Sequence, residues 1–251
     1  METPRLLKLA NRMAICTVEL VMNDEDKSKN LTLIKNYVCL LKSLNCGIWN
    51  DSKFVVKQMD KVGTVLSTTL VKAGFTNFFK LFLANPWMIM LAAKKAPPFG
   101  NIGRDFAMRM PQFRIEVKQL DTKQNSVQVD VMVTMGNREV VGRREGVEQG
   151  QHRWVVLVGN GNNRVVATFR GCDTLTLSGH TVFQRSLRLN RDRWKDRLEV
   201  ILISLTISGV DASCVLHLRL QGMVPPPPGR SWTCLSPWRT LRRLWRSATR
   251  M

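Results

Sequence analysis

The chain has 251 residues, with 38 Lys or Arg against 19 Asp or Glu, a formal net charge of +19 and a hydrophobic content of 44%. That length and content furnish the core of one large or two modest domains, and the charge points to an acidic partner: nucleic acid, an anionic membrane surface or an acidic protein. No apolar run reaches the roughly 18 residues of a spanning helix, and the N-terminus lacks the ordered regions of a signal peptide, so a soluble protein is expected.

Near the start, Leu6, Leu9, Met13, Cys16 and Leu20 recur at helical spacing before the charged run at 23–27. Leu31, Ile34, Val38, Leu41 and Leu44 repeat that spacing before Gly47. Both stripes read as core positions. Trp49, which follows, reads as an aromatic anchoring one helix on its neighbour.

The segment 58–78 has the form of a degenerate helix-hairpin-helix. In such a unit one short helix ends at an apolar residue followed by glycine, and the next starts at once, so its free N–H groups can face a phosphate oxygen. Val62 and Gly63 fill the turn, and Thr64 to Val71 supply the second helix with Val65, Leu66, Leu70 and Val71 as its apolar positions. Ala73-Gly74 ends that helix where a C-terminal cap is expected. The usual pattern has another glycine two residues before Gly63, and here Lys61 stands there. The candidate nucleic-acid-binding residues are Lys57, Lys61, Gly63, Thr64 and Lys72. The same residues also fit a tight helical corner that packs Phe75 and Phe78 into a core.

Asn85 and Pro86 form an N-cap and first position for a helix running to about Ala96, which Pro97-Pro98-Phe99-Gly100 stops. One more short amphipathic helix fits 101–110, and Pro111 marks a change of regime. Phe113, Ile115 and Val117 then alternate with charged residues, and Val127, Val129, Val131 and Val133 repeat the period of two. Further strands are expected at 153–158, 164–170, 181–189, 198–207 and 213–220. Seven short strands without helical crossovers predict an immunoglobulin-like (fibronectin-III-like) β-sandwich behind a helical bundle, an α+β chain. The run 198–207 is apolar on both faces, which places it centrally, between the sandwich core and a helical layer. Gly159-Asn-Gly-Asn-Asn163 reads as a hairpin turn and not as a dinucleotide fingerprint, since its last glycine is missing and a strand follows.

From Gly222 the composition changes. Pro225 to Pro228 form a stiff spacer, and Trp232, Trp238 and Trp245 follow among Arg239, Arg242, Arg243 and Arg246, with no acidic residue. The tail reads as a disordered end or as a basic amphipathic segment. The expected divisions are 1–52 (helical bundle), 53–110 (hairpin and connecting helices), 111–221 (sandwich) and 222–251 (tail).

Catalytic signatures are missing: no GxxxxGKS or GxxxxGKT loop, no DExH strand end, no GxSxG elbow and no HExxH helix. His152, His180 and His217 lie on or beside expected strands. Cys16, Cys39, Cys46, Cys172, Cys214 and Cys234 form no CxxC pair and have no His at ligand spacing, so they read as reduced, mostly buried thiols of an intracellular protein, without a metal site. A second basic run, Arg185, Arg188, Arg191, Arg193, Lys195 and Arg197, surrounds Trp194 and reads mainly as a solvated loop.

The order of bundle, hairpin and sandwich resembles the Sec sixty-three homology module of Ski-two-like superfamily-two helicases. Asn45-Cys-Gly-Ile-Trp49, the 58–78 hairpin, Lys95-Ala-Pro-Pro-Phe-Gly100 and Pro111-Gln-Phe-Arg-Ile-Glu-Val-Lys118 are most similar to the meiotic crossover branch of that family. The resemblance covers about 6–220. It implies a nuclear, noncatalytic accessory module of an ATP-dependent DNA helicase, binding single-stranded or branched DNA without sequence preference during homologous recombination. It also implies that Gly63 is the hairpin glycine, that Thr64 opens the second helix, and that Lys61 and Lys72 are the adjacent cations. ATP and magnesium would serve the motor domains of relatives. No cofactor and no membrane partner are expected for this chain, which reads as a truncated product, an isoform or a partial gene model because no motor sequence is present. The alternative is a protein-interaction module whose sandwich recruits a partner with no nucleic-acid contact.

Overall fold

The computed structural model describes residues 3–23, 30–123, 126–142, 152–172, 181–190 and 197–218. Helices α1 (Thr3–Asn23) and α2 (Leu31–Cys46) come first, followed by a 3-10 turn at Val55–Gln58. Four short helices follow: α3 (Thr64–Lys72), α4 (Phe78–Leu83), α5 (Pro86–Ala93) and α6 (Phe99–Met108). Asparagines open three of the helices: the side chains of Asn30, Asn77 and Asn85 accept from the N–H groups of Leu33, Lys80 and Trp87, satisfying donors that no helix can pair internally.

The strands are β1 (Phe113–Lys123), β2 (Ser126–Met135), β3 (Arg153–Asn160), β4 (Val165–Cys172), β5 (Thr181–Asn190), β6 (Arg197–Ser204) and β7 (Ala212–His217), with a one-turn helix α7 (Arg138–Gly142) after β2. They form two antiparallel sheets, ordered β1-β2-β5 and β4-β3-β6-β7. The period of two explains their shared core. Ile115, Val117, Val127, Val129, Val131 and Val133 of one sheet are buried in the same cluster as Trp154, Val156, Val158, Leu198, Val200 and Leu202 of the other. The α+β division and the antiparallel strands expected from the sequence are present.

Residues of opposite parity on β3 and β6 serve another layer. Val155, Leu157, Ile201 and Ile203 pack against Ala14, Val18 and Val21 of α1 and Leu31, Ile34, Val38 and Leu41 of α2. The four-stranded sheet is therefore covered on both faces, as the doubly apolar β6 predicts. The β3–β4 hairpin also caps α2. Asn163, at φ 58, accepts from the N–H and hydroxyl of Thr32, and its carbonyl accepts from the Leu31 N–H.

Helices α3–α6 continue the inter-sheet core at one end, through Leu70, Phe78, Leu81, Ile89 and Ala107. Two amide side chains, buried Asn137 and half-buried Gln58, fix that joint. Asn137 donates to the carbonyls of Met108 and Met110 and accepts from the Gln112 N–H. The Gln58 amide accepts from the Ser208 N–H and donates to its carbonyl, as a neighbouring strand would.

Three expectations are corrected. Leu6, Leu9, Met13, Cys16 and Leu20 of α1 face outward, because Ala14, Val18 and Val21 form the face laid on α2 and the sheet. Trp49 is 68% exposed, and its neighbour Ile48 is the buried residue. The helix from Pro86 stops at Ala93, where Lys94 takes a left-handed conformation. Of the described thiols, Cys16 is exposed, Cys39 and Cys46 are half-buried and Cys214 is buried. Burial raises the Cys39 and Cys46 thiols above their ordinary value, which keeps them protonated and unreactive. His180, Cys234, residues 219–221 and the tail 222–251 lie outside the described residues.

Candidate nucleic-acid interface

The corner that carries the candidate site is held by apolar residues on its inner side. Val55, Val56, Met59 and Val62 are buried, while Lys57, Asp60 and Lys61 between them face solvent. The first arm is a single 3-10 turn, and the second is α3. Ser67 and Leu70 form the buried side of α3, and Val65, expected among its apolar positions, is 84% exposed. Beyond α3, Gly74 takes φ 98 and the Phe75 N–H donates to the Leu70 carbonyl at 3.0 Å, so the chain reverses and buries Phe75 and Phe78.

Lys61, the residue standing where a glycine is usual, has φ 63. This left-handed conformation suits glycine and costs other residues about 1 kcal/mol, so the turn retains the glycine geometry while presenting a cation. Gly63 is the extended N-cap of α3, at φ −80, and makes no side-chain cap. A Cβ added there would meet nothing within 4 Å. Packing therefore does not demand glycine at this position, and the first amides of α3 are left to solvent or to a ligand.

The structure places Lys61, Gly63 and Thr64 at the start of α3, Lys57 on the 3-10 turn before it, and Lys72 at the other end of α3, about 12 Å along the axis. Lys72 is exposed in the last turn, where a cation also complements the helix dipole. Among the described residues, none of the three lysines forms an ion pair.

The second basic run is only partly described. Arg185 and Arg188 are exposed on β5, and Arg197 lies 3.7 Å from Glu199 on β6. Arg191, Arg193, Trp194 and Lys195 lie outside the described residues. Among the described residues, no group of three or more His, Cys, Asp or Glu is placed to hold a metal ion, and no helix is long and apolar enough to cross a membrane.

Two residues outside the predicted site stand out. Trp49 is exposed on the segment leading into the 3-10 turn. Lys42 is fully buried in α2 and paired with Asp211 before β7. Its position four residues after Val38, on the buried stripe, was the available signal. Its partner, 169 residues away, had none.

No protein-family model matches the chain. It is 29% identical over 213 residues to a "Probable ATP-dependent DNA helicase HFM1" of Mus musculus, a match that covers 84% of this chain and 14% of that protein. The human protein of the same name is 24% identical over 212 residues, with the same two coverages. The "ATP-dependent DNA helicase homolog MER3" of Arabidopsis thaliana is 30% identical over 89 residues, 35% of this chain and 8% of that protein. The chain thus spans about one-seventh of the length of the HFM1 proteins it matches. The chain is similar through most of its sequence to a segment of the HFM1 DNA helicases, and through about a third of it to a segment of MER3.

Proposed function

We propose that this chain is a noncatalytic accessory module of a meiotic DNA helicase, and that its α3 corner holds the backbone of single-stranded or branched DNA in the nucleus without reading sequence. One observation carries the reading. Lys61 is held in a glycine-like turn at the solvent-facing start of a helix whose N-cap, Gly63, makes no side-chain cap, with Lys57 exposed on the preceding turn. Uncapped amides, the positive end of a helix dipole and nearby cations together suit a phosphate oxygen. Such contacts fix a strand without distinguishing its bases. The printed names of the relatives support DNA as the partner.

The strand order β1-β2-β5 facing β4-β3-β6-β7 supports an immunoglobulin-like reading of the sheets. On this reading 1–52, 53–110 and 111–221 are the bundle, hairpin and sandwich of one module. ATP and magnesium belong to the parts of the relatives outside the matched span.

The test is binding of a labelled single-stranded oligonucleotide across a salt series. Lys57/Lys61/Lys72→Ala is expected to weaken binding and to flatten the log–log salt slope by up to about 2, at roughly 0.7 per lost phosphate contact. Gly63→Ser is expected to stabilise the fold by about 0.3 kcal/mol, because serine caps the amides that glycine leaves open, and to weaken binding for the same reason. Equal affinity and slope for wild type and the triple variant would remove the corner as the site.

A further inference from the structure

We infer that Trp49 is a stacking platform for a base of the single strand, so that the corner holds a nucleobase as well as phosphates. The inference rests on the DNA-binding reading of the corner and extends it to the chemistry of the bases.

Trp49 is placed by its neighbours. Helix α2 ends at Cys46, and Gly47, at φ 65, turns the chain. Ile48 is buried, and Trp49 emerges 68% exposed. The segment that carries it is fixed at several points. The Trp49 carbonyl accepts from the Ser52 N–H at 3.0 Å, and the Phe54 N–H donates to the Ser52 hydroxyl at 3.1 Å. Val55 and Val56 are then buried, and Gln58 clamps the backbone of Ser208 at 2.8 and 3.0 Å. The indole is thus presented from a braced frame, so little ordering is left to be done on binding.

A protein that buries Trp154 and Phe78 almost completely leaves most of this indole in water. Its surroundings select the partner. The exposed residues after Trp49 as far as Lys61 are Asp51, Lys53, Phe54, Lys57, Asp60 and Lys61, three cations against two acids with a second, partly exposed ring. Flat rings on a segment whose cations outnumber its acids fit a polyanion that carries flat rings of its own, which is a single-stranded nucleic acid. Trp87, also exposed, differs: it shares α5 with exposed Met88 and Leu91, a mainly apolar surface.

The test compares a labelled oligothymidylate with an abasic strand of equal length, using the full chain. Trp49→Ala is expected to bind the oligothymidylate about 5- to 100-fold more weakly and the abasic strand as wild type does. Trp49→Phe should recover most of the loss. Three outcomes overturn the inference: Trp49→Ala binds oligothymidylate normally, as it would if the indole met a protein instead; it loses both strands equally, as a damaged fold would; or Trp49→Phe recovers nothing. If wild type binds neither strand, the DNA-binding reading itself fails. If only the lysine variant loses binding, that reading stands and the stacking role of Trp49 falls.

Discussion

Lys42 carries its ammonium from the buried face of α2 to Asp211, whose second oxygen accepts from the Ser204 N–H at 3.0 Å. Partial burial raises the Asp211 carboxyl above its ordinary value of 3.8, while the Lys42 ammonium and the Ser204 N–H pull it down without overcoming that effect. A raised folded pKa means that the carboxyl's contribution to stability is fully present below 3.8 and is lost as pH rises through the folded value. Lys42→Met keeps most of the stem's packing and removes the cation, so the carboxyl rises further and the loss with rising pH grows. The variant is expected to be about 2 kcal/mol less stable than wild type near neutrality. That is below the roughly 3 kcal/mol or more of a fully buried broken pair, because Asp211 keeps some solvent. The deficit should narrow as pH falls toward 4 and the carboxyl takes up a proton. Urea unfolding of both proteins at the two pH values measures the gap, and a gap independent of pH would dismiss the pairing as the cause.

Among the elements, the Pro-Pro-Phe-Gly sequence shows how a local signal gains its reason only in space. The prolines correctly mark the break between α5 and α6. The need for Gly100 comes from elsewhere: a Cβ there would lie 2.0 Å from the carbonyl oxygen of Pro86, because α6 crosses directly over the start of α5. Gly103, one turn on, has room, with its nearest neighbour, a methyl of Ile89, at 3.5 Å. Gly100→Ala is therefore expected to cost about 3 kcal/mol, on the order of 10 °C in Tm, whereas Gly103→Ala should be neutral or gain up to about 1 kcal/mol from helix propensity. Thermal unfolding of the two variants checks the contrast, and similar losses in both would refute the close crossing. The strands were legible because a period of two assigns every residue of β1 and β2 to a face, and a shift by one would bury charge. Helix α1 was misread because it has apolar residues on more than one side. Spacing alone cannot show that the small residues Ala14 and Val18, and not Leu9 and Met13, meet a sheet that begins more than a hundred residues later. Lys61 was legible as an anomaly against a glycine pattern, while its left-handed backbone needed the structure. Trp49 was misplaced because local sequence does not say which of two adjacent apolar residues turns inward.

At the scale of the molecule, the four-stranded sheet binds the layers together, with the facing sheet on one side and α1 and α2 on the other. If the helical layer were only a neighbour, a fragment spanning 109–218 would fold and stay in solution alone. The packing predicts otherwise. Removing 1–108 exposes Val155, Leu157, Ile201 and Ile203 on β3 and β6, at about 1.5–3 kcal/mol each as an upper bound. It also takes away the partners of Asn163, Ser208 and Asp211. The fragment is expected to bind a hydrophobic dye, to self-associate on size-exclusion chromatography and to unfold at lower denaturant than the full chain. The full chain should unfold in one transition followed equally by its helical and sheet signals. A monomeric, dye-silent fragment with the unfolding midpoint of the full chain would show that the helices and the sheets fold as separate units.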